Sequence, residues 1–174
     1  VGTSILGLRP DDVLAGFPAN LFLILVGVTY LFGIAHANGT VDLLVRTAVH
    51  LVGGRAAAIP WVMFFLTAAL TAVGALSPAA VAIVAPIALG LAARHEIDTL
   101  LMGAMVVHGA QAGGFSPVSV YGGIVQGIVA KAGVLSSPMT VFVSSFIFNL
   151  LFACAVYLVY GRGLYGRRIV SSAV

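Results

Sequence analysis

Charged residues are what this sequence has least of. Of its 174 residues, 61% are hydrophobic and 7% are charged, whereas a soluble domain normally carries roughly a quarter charged residues. A water-exposed surface cannot be covered with so few charges. The uncharged runs 56–93, 99–130 and 132–161 each exceed the roughly 20 apolar residues that one bilayer crossing requires. The composition therefore predicts an all-α integral membrane protein, a single membrane domain over residues 1–174 in contact with lipid.

Other absences exclude further classes of protein. Cys154 is the only cysteine, so a disulfide framework or a cysteine-based metal site within the chain is excluded. The net charge of +3 comes from eight scattered Lys and Arg residues that form no basic face, so we expect no nucleic-acid partner. The sequence contains no His-Glu-x-x-His helix, no Gly-x-Ser-Gly nucleophile and no intramembrane Asp pair, so we expect no enzyme.

The apolar segments divide into spans and one interfacial helix. Residues 20–37 and 139–160 are long enough to cross the hydrocarbon. Between them, residues 40–53 alternate apolar positions with the polar stripe Asp42, Arg46 and His50 at helical spacing. This pattern predicts an amphipathic helix lying in the membrane interface.

Two apolar stretches are interrupted near their middle. Pro78 forbids an uninterrupted helix across 60–93, which is either two full spans with a tight turn or a re-entrant hairpin; we expect the hairpin. In 99–130, Gly113 and Gly114 are followed by Ser116-Pro117, which predicts a broken span. Backbone groups freed by such a break cannot face hydrocarbon. The break must therefore line a cavity or pack against protein.

The basic residues predict an orientation. The hairpin topology places six arginines on one face and leaves Arg9 and Lys131 on the other. The positive-inside rule makes the arginine face cytoplasmic, with the C-terminus on that side of a multi-pass inner (plasma) membrane protein. The six are Arg46, Arg55, Arg94, Arg162, Arg167 and Arg168.

The two breaks suggest an ion-binding site. Half-helix N-termini direct partial positive charge at an anion, and unwound carbonyl groups can hold Na⁺. We expect the substrate to contact Ser77, Ser116, Pro117 and Ser119, and a cation to contact Ser77, Gly113, Gly114 and Ser116. No Asp or Glu lies in either interrupted stretch, so a proton relay through buried carboxylates has no carrier. His108 is either a packed imidazole or a ligand.

Two segments resemble a known family. Residues 74–86, GALSPAAVAIVAP, and 108–122, HGAQAGGFSPVSVYG, resemble the N-terminal region of the MatC-type dicarboxylate (malonate) carriers, over about Phe17 to Tyr160. These carriers resemble the wider ion transporter superfamily, which includes divalent anion:sodium symporters. The resemblance implies two inverted repeats, each with a re-entrant hairpin and a broken helix, that meet at the substrate site.

The family motifs transfer only in part. The Ser-Asn-Thr signature at the hairpin tip of the symporters would fall on Ser77-Pro78-Ala79, where only the serine is kept. The Gly-Gly-x-x-Thr-Pro type break would fall on Gly113 to Pro117, with Ser116 in place of threonine and one residue fewer between the glycines and the proline. Because the Asn and Thr oxygens are lost, the resemblance establishes neither the anion contact nor the sodium coordination of the symporters for this chain. Either Na⁺ or H⁺ is the candidate coupling ion, and we expect no other cofactor.

The sequence therefore predicts one inverted-repeat half of a secondary transporter for small dicarboxylates. It begins at Val1 and has one repeat, so we expect a fragment or half-transporter completed by a missing second repeat or by another copy of the chain. A non-transporting multi-span subunit or scaffold from a truncated gene is the alternative, in which the breaks are only kinks.

Overall fold

The chain is helical wherever its structure is described. A computed structural model describes residues 19–40, 43–44, 47 and 55–164. These residues form no β-strand, and their α-helices are α1 (Ala19–Ala37), α2 (Ile59–Ala72), α3 (Ser77–Arg94), α4 (Thr99–Gly114), α5 (Val120–Lys131) and α6 (Pro138–Tyr160). The all-α class is confirmed. Most of the interfacial helix predicted at 40–53 lies outside the described residues, as do Arg9, Arg46, Arg167 and Arg168.

Within the described residues, two helices are long and apolar enough to cross a membrane. They are α3, with 18 residues, and α6, with 23 residues. At 1.5 Å per residue, α6 is about 35 Å long, which exceeds the roughly 30 Å of a hydrocarbon core. Large apolar side chains along α6 are exposed, among them Phe148, Leu151 and Leu158, as expected of a face that contacts lipid.

Helix α4 is the centre of the fold and packs on α2, α3 and α6. Against α2 it presents Gly109 and Gly113, which approach the carbonyl groups of Phe64 and Ala68. The residues of each pair are 45 positions apart in the sequence, so the contacts advance in the same direction along both helices, and α2 and α4 run parallel. Small residues at this spacing let helix backbones approach closely, which is how helices associate in membranes.

Helix α6 runs antiparallel to α4. His108 contacts Asn149, and the Ser145 hydroxyl donates to the Gln111 carbonyl at 3.3 Å. At the other end of α6, the Tyr157 hydroxyl donates to the Ala57 carbonyl at 2.7 Å, just before α2 begins. The start of α2, the end of α3, the start of α4 and the end of α6 therefore lie at one end of the fold. Arg55, Arg94 and Arg162 lie at this end of the fold. Lys131, at the end of α5, lies towards the other end.

The turn between α2 and α3 lies part-way along α6. Ser77, the first residue of α3, bonds to the Ala110 carbonyl, one residue from the Gln111 carbonyl that Ser145 contacts. Ser145 lies seven residues after Pro138 and fifteen before Tyr160, which is about 10 Å and about 22 Å along a helix. The pair α2–α3 thus covers about two-thirds of the length of α6.

The interruption near Pro78 occupies residues 73–76 and precedes the Ser-Pro pair. Gly74 adopts a φ of +129° there, which an L side chain rarely adopts. Ser77 and Pro78 are the first two residues of α3, where proline is tolerated because the first N–H groups have no partner within the helix. Proline here begins a helix and does not form the turn.

Candidate functional site

The two interruptions of the helices contact each other. The Ser116 hydroxyl donates to the Ala72 carbonyl at 2.5 Å, which joins the second break to the end of α2. The Ser77 hydroxyl donates to the Ala110 carbonyl at 3.0 Å, which joins the start of α3 to α4. At Gly74 an added Cβ would lie 3.8 Å from the Val118 carbonyl oxygen. The structure thus brings the turn at 73–76 and the break at 115–119 together.

The three predicted serines are buried and bonded within the protein. Ser77, Ser116 and Ser119 are 2%, 4% and 5% exposed. Ser119 donates to the carbonyl of Gly114 or Ser116, at 2.5 and 2.7 Å, and accepts from the Gly122 N–H at 3.0 Å. Since each hydroxyl proton is directed at a backbone carbonyl, these serines hold the break in shape, and each keeps only acceptor lone pairs for a ligand.

The predicted glycines also face protein. Gly113 abuts the Ala68 carbonyl and the Thr71 hydroxyl of α2. At Gly114 an added Cβ would lie 2.9 Å from the Ser77 Oγ and 3.5 Å from the Tyr121 ring. Gly114 therefore sets the distance between the start of α3 and the start of α5. Pro117, in contrast, is exposed, and its carbonyl accepts from the Gln126 amide at 3.4 Å.

A groove of about 400 Å³ opens beside the start of α3. A cavity of this size lies within the usual range for small-ligand sites. We call it the α3–α4 groove; it is lined by Ser77, Pro78, Val81, Ala82, Val107, Ala110, Gln111 and Tyr121. A second cavity of about 280 Å³ shares Gln111 and Tyr121 with it. These two side chains therefore separate adjoining spaces next to the contact between the breaks.

The helix N-termini at the two breaks differ in their capping. The N-terminus of α5 is capped, because the Ser119 side chain accepts from the Gly122 N–H. No side chain caps the N-terminus of α3, where Leu76 is the N-cap residue. The positive end of the α3 dipole thus has no side-chain partner at Ser77, beside the α3–α4 groove. An anion is the natural partner of such an end.

Gln111 and Tyr121 are polar groups of this groove that the sequence-based site did not include. Each flanks the break, Gln111 on the last turn of α4 and Tyr121 on the first turn of α5. The Gln111 amide and the Tyr121 hydroxyl can both donate to a carboxylate. Their position next to the Gly-Gly and Ser-Pro pairs was the available signal.

The predicted cation ligands are engaged in protein hydrogen bonds. The Gly113 carbonyl accepts from the Ser116 N–H at 3.1 Å, and the Gly114 carbonyl accepts from Ser119. The hydroxyls of Ser77 and Ser116 donate to Ala110 and Ala72. A carbonyl oxygen has a second lone pair, so cation binding by these atoms stays a prediction.

Comparison with known proteins gives one match. Residues 1–114 match the family described as the dicarboxylate carrier protein MatC N-terminus. No curated protein and no solved structure matches the chain. The matched segment includes α1 to α4, and it ends at Gly114, where the second break begins. The chain therefore belongs to the MatC N-terminal family of dicarboxylate carriers and is an all-α membrane protein.

Proposed function

We propose that this chain supplies one half of a secondary active transporter that carries small dicarboxylate anions of the malonate or C4-dicarboxylate type. The observation that carries the proposal is the uncapped N-terminus of α3, which lies on the α3–α4 groove beside Gln111 and Tyr121. Membership of a dicarboxylate carrier family supports the substrate class.

In this proposal one carboxylate of the substrate lies at the start of α3. It accepts hydrogen bonds from the first N–H groups of that helix, except at Pro78, which has none. The Gln111 amide and the Tyr121 hydroxyl orient it. Ser116 holds the break against α2, and Ser119 bonds to carbonyl groups within the break, next to the exposed Pro117. The second carboxylate faces the space that a second repeat, or another copy of the chain, would close.

The pair α2–α3 is proposed to be re-entrant. If α6 crosses the membrane, the turn at 73–76 lies about 10 Å short of the Pro138 end of α6, within the bilayer. This depth suits an alternating-access carrier, whose substrate site lies near the midplane on discontinuous helices.

The proposed location is the inner (plasma) membrane, with several crossings. Arg55, Arg94 and Arg162 lie at the end of the fold where α6 finishes. The positive-inside rule supports a cytoplasmic position for this end and for the C-terminus.

Replacement of Gly114 tests the proposed site. Gly114→Val would drive a side chain into Ser77 and Tyr121, so we expect labelled malonate uptake by the full-length carrier in liposomes to fall at least tenfold. Gly103→Val is the matched control, because Gly103 is on the same helix with no atom within 4 Å of its added Cβ.

The amount of inserted protein is measured for both variants. Equal uptake by Gly114→Val and Gly103→Val at equal insertion would show that the contact between the breaks is not part of the substrate site. A wild-type carrier that inserts but takes up no dicarboxylate would favour the subunit or scaffold hypothesis.

A further inference from the structure

One ionisable side chain lies deep in the helices and has no part in the proposed substrate site. Among the described helices α2 to α6, the only Asp, Glu, His, Lys or Arg other than the terminal residues Arg94 and Lys131 is His108. It is half-buried in the middle of α4. Ionisable residues inside membrane helices are rare and typically mark ion or proton pathways.

The hydrogen bonds of Asn149 define which nitrogen of His108 carries a proton. The Asn149 Nδ2 donates to the Ser145 carbonyl at 2.9 Å, so its Oδ1 is the atom 2.9 Å from the His108 Nδ1. Since a carboxamide oxygen only accepts, the His108 Nδ1 must donate. The neutral imidazole is therefore protonated on Nδ1, and Nε2 is the basic nitrogen.

His108 contacts an aromatic ring and an amide oxygen of α6. Its ring stacks on Phe152 with centroids 4.3 Å apart, and an aromatic face stabilises a cation. The Asn149 oxygen accepts a hydrogen bond that strengthens when the donor becomes charged. No other acid or base of the described packing elements competes with it: α2 has no ionisable side chain, α3 has Arg94 at its end, α5 has Tyr121 and Lys131, and α6 has Cys154, Tyr157 and Tyr160.

His108 is connected to the α3–α4 groove through α4 and α6. Gln111, which lines the groove, follows His108 by three residues, and side chains at this spacing are neighbours on a helix. The Ser145 hydroxyl donates to the Gln111 carbonyl, and the Ser145 carbonyl accepts from Asn149. The groove itself is lined by no charged side chain. A positive charge on His108 would thus be the nearest full charge to a bound dianion on α4.

We propose that His108 is the proton-binding site through which dicarboxylate transport is coupled to the proton gradient. The inference rests on the proposed function. Nε2 takes up one proton from the aqueous side, imidazole becomes imidazolium, and the bound dianion and the proton favour each other's binding by the same factor. The pair crosses with one unit of charge less than the dianion alone, and the proton leaves Nε2 when the substrate is released.

The test uses the full-length carrier in liposomes with labelled malonate. The wild type is expected to accumulate malonate under an inward proton gradient without Na⁺. In His108→Gln this accumulation is expected to fall at least tenfold. Exchange of labelled for unlabelled malonate, which needs no gradient, is expected to fall less than threefold. His36→Gln, at the exposed end of α1, is the matched control and should accumulate normally.

The possible outcomes separate this inference from the proposed function. Accumulation by His108→Gln equal to wild type, or wild-type accumulation that requires Na⁺ and ignores pH, overturns proton coupling at His108 while transport itself stands. Absence of both accumulation and exchange in the wild type overturns the proposed function, and the inference about His108 with it.

A second variant serves if His108→Gln does not fold. Asn149→Asp places a carboxylate against the Nδ1–H, so the pH profile of uptake should differ from that of the wild type. An unchanged profile overturns the proposal.

Discussion

The contact between α2 and α4 predicts a clear cost for one added methyl group. Gly113 is fully enclosed, and a Cβ placed there would lie closer to the Ala68 carbonyl and the Thr71 hydroxyl than real Cβ atoms do. The obstructing atoms include backbone, which cannot rotate away as the end of a flexible side chain can. Gly113→Ala therefore requires α2 to move outward as a unit.

The magnitude follows from two opposing effects. Overpacking of this kind costs about 1–3 kcal/mol, and loss of the close helix contact adds to that cost. Alanine is a better helix former than glycine by about 1 kcal/mol, which offsets part of it. We expect a net destabilisation of about 1–2 kcal/mol, or a thermal midpoint lowered by about 2–8 °C, at roughly 2–4 °C per kcal/mol.

The matched control is Gly103→Ala, which makes the same chemical change in the same helix where an added Cβ meets nothing within 4 Å. Thermal unfolding of both variants of the full-length carrier in detergent measures the difference. The control should keep or raise the midpoint. If Gly113→Ala unfolds at or above the temperature of the control, the close approach of α2 and α4 is refuted.

Three further variants test other parts of the structure. Ser116→Ala removes the donor to the Ala72 carbonyl and should lower malonate uptake severalfold at equal insertion, because a buried carbonyl left without a donor costs about 1–3 kcal/mol. The control is Ser136→Ala, at an exposed position, and equal uptake by both variants would contradict the role of Ser116. Tyr121→Phe should raise the KM for malonate about threefold to tenfold through loss of one hydrogen-bond donor, whereas Tyr160→Phe, at the exposed end of α6, should leave the KM unchanged. An unaltered KM in Tyr121→Phe would show that this hydroxyl does not bind the substrate. Asp98→Ala removes the cap whose side chain accepts from two N–H groups of α4 and should cost about 1 kcal/mol in stability without changing KM, so a thermal midpoint equal to wild type would show that this cap contributes nothing.

Composition was sufficient to predict the fold class, and the prolines and paired glycines were sufficient to predict that helices are interrupted. A charge content of 7% leaves few alternatives to a membrane protein. The location of the first turn was less predictable. Pro78 disrupts a helix interior but is well suited to a helix start, so the turn lies before it, at Gly74.

The roles of individual site residues were harder to predict, because they depend on tertiary contacts. Gly113 could have exposed backbone to a ligand or accepted a neighbouring helix, and only the position of α2 distinguishes the two. The serine hydroxyls could have faced a substrate, but each donates to a carbonyl. The sequence around Asn149 is an apolar span with no motif, and the role of this side chain follows from its contact with His108, 41 residues away in sequence.

The most direct test of the account is uptake of labelled malonate by the purified full-length carrier in liposomes, with unlabelled dicarboxylates as competitors. We expect saturable uptake that C3 and C4 dicarboxylates inhibit. Gly114→Val should lower this uptake at least tenfold, and Gly103→Val should preserve it. Uptake no greater than that of empty liposomes under every Na⁺ and H⁺ gradient, with correctly inserted protein, would contradict the account.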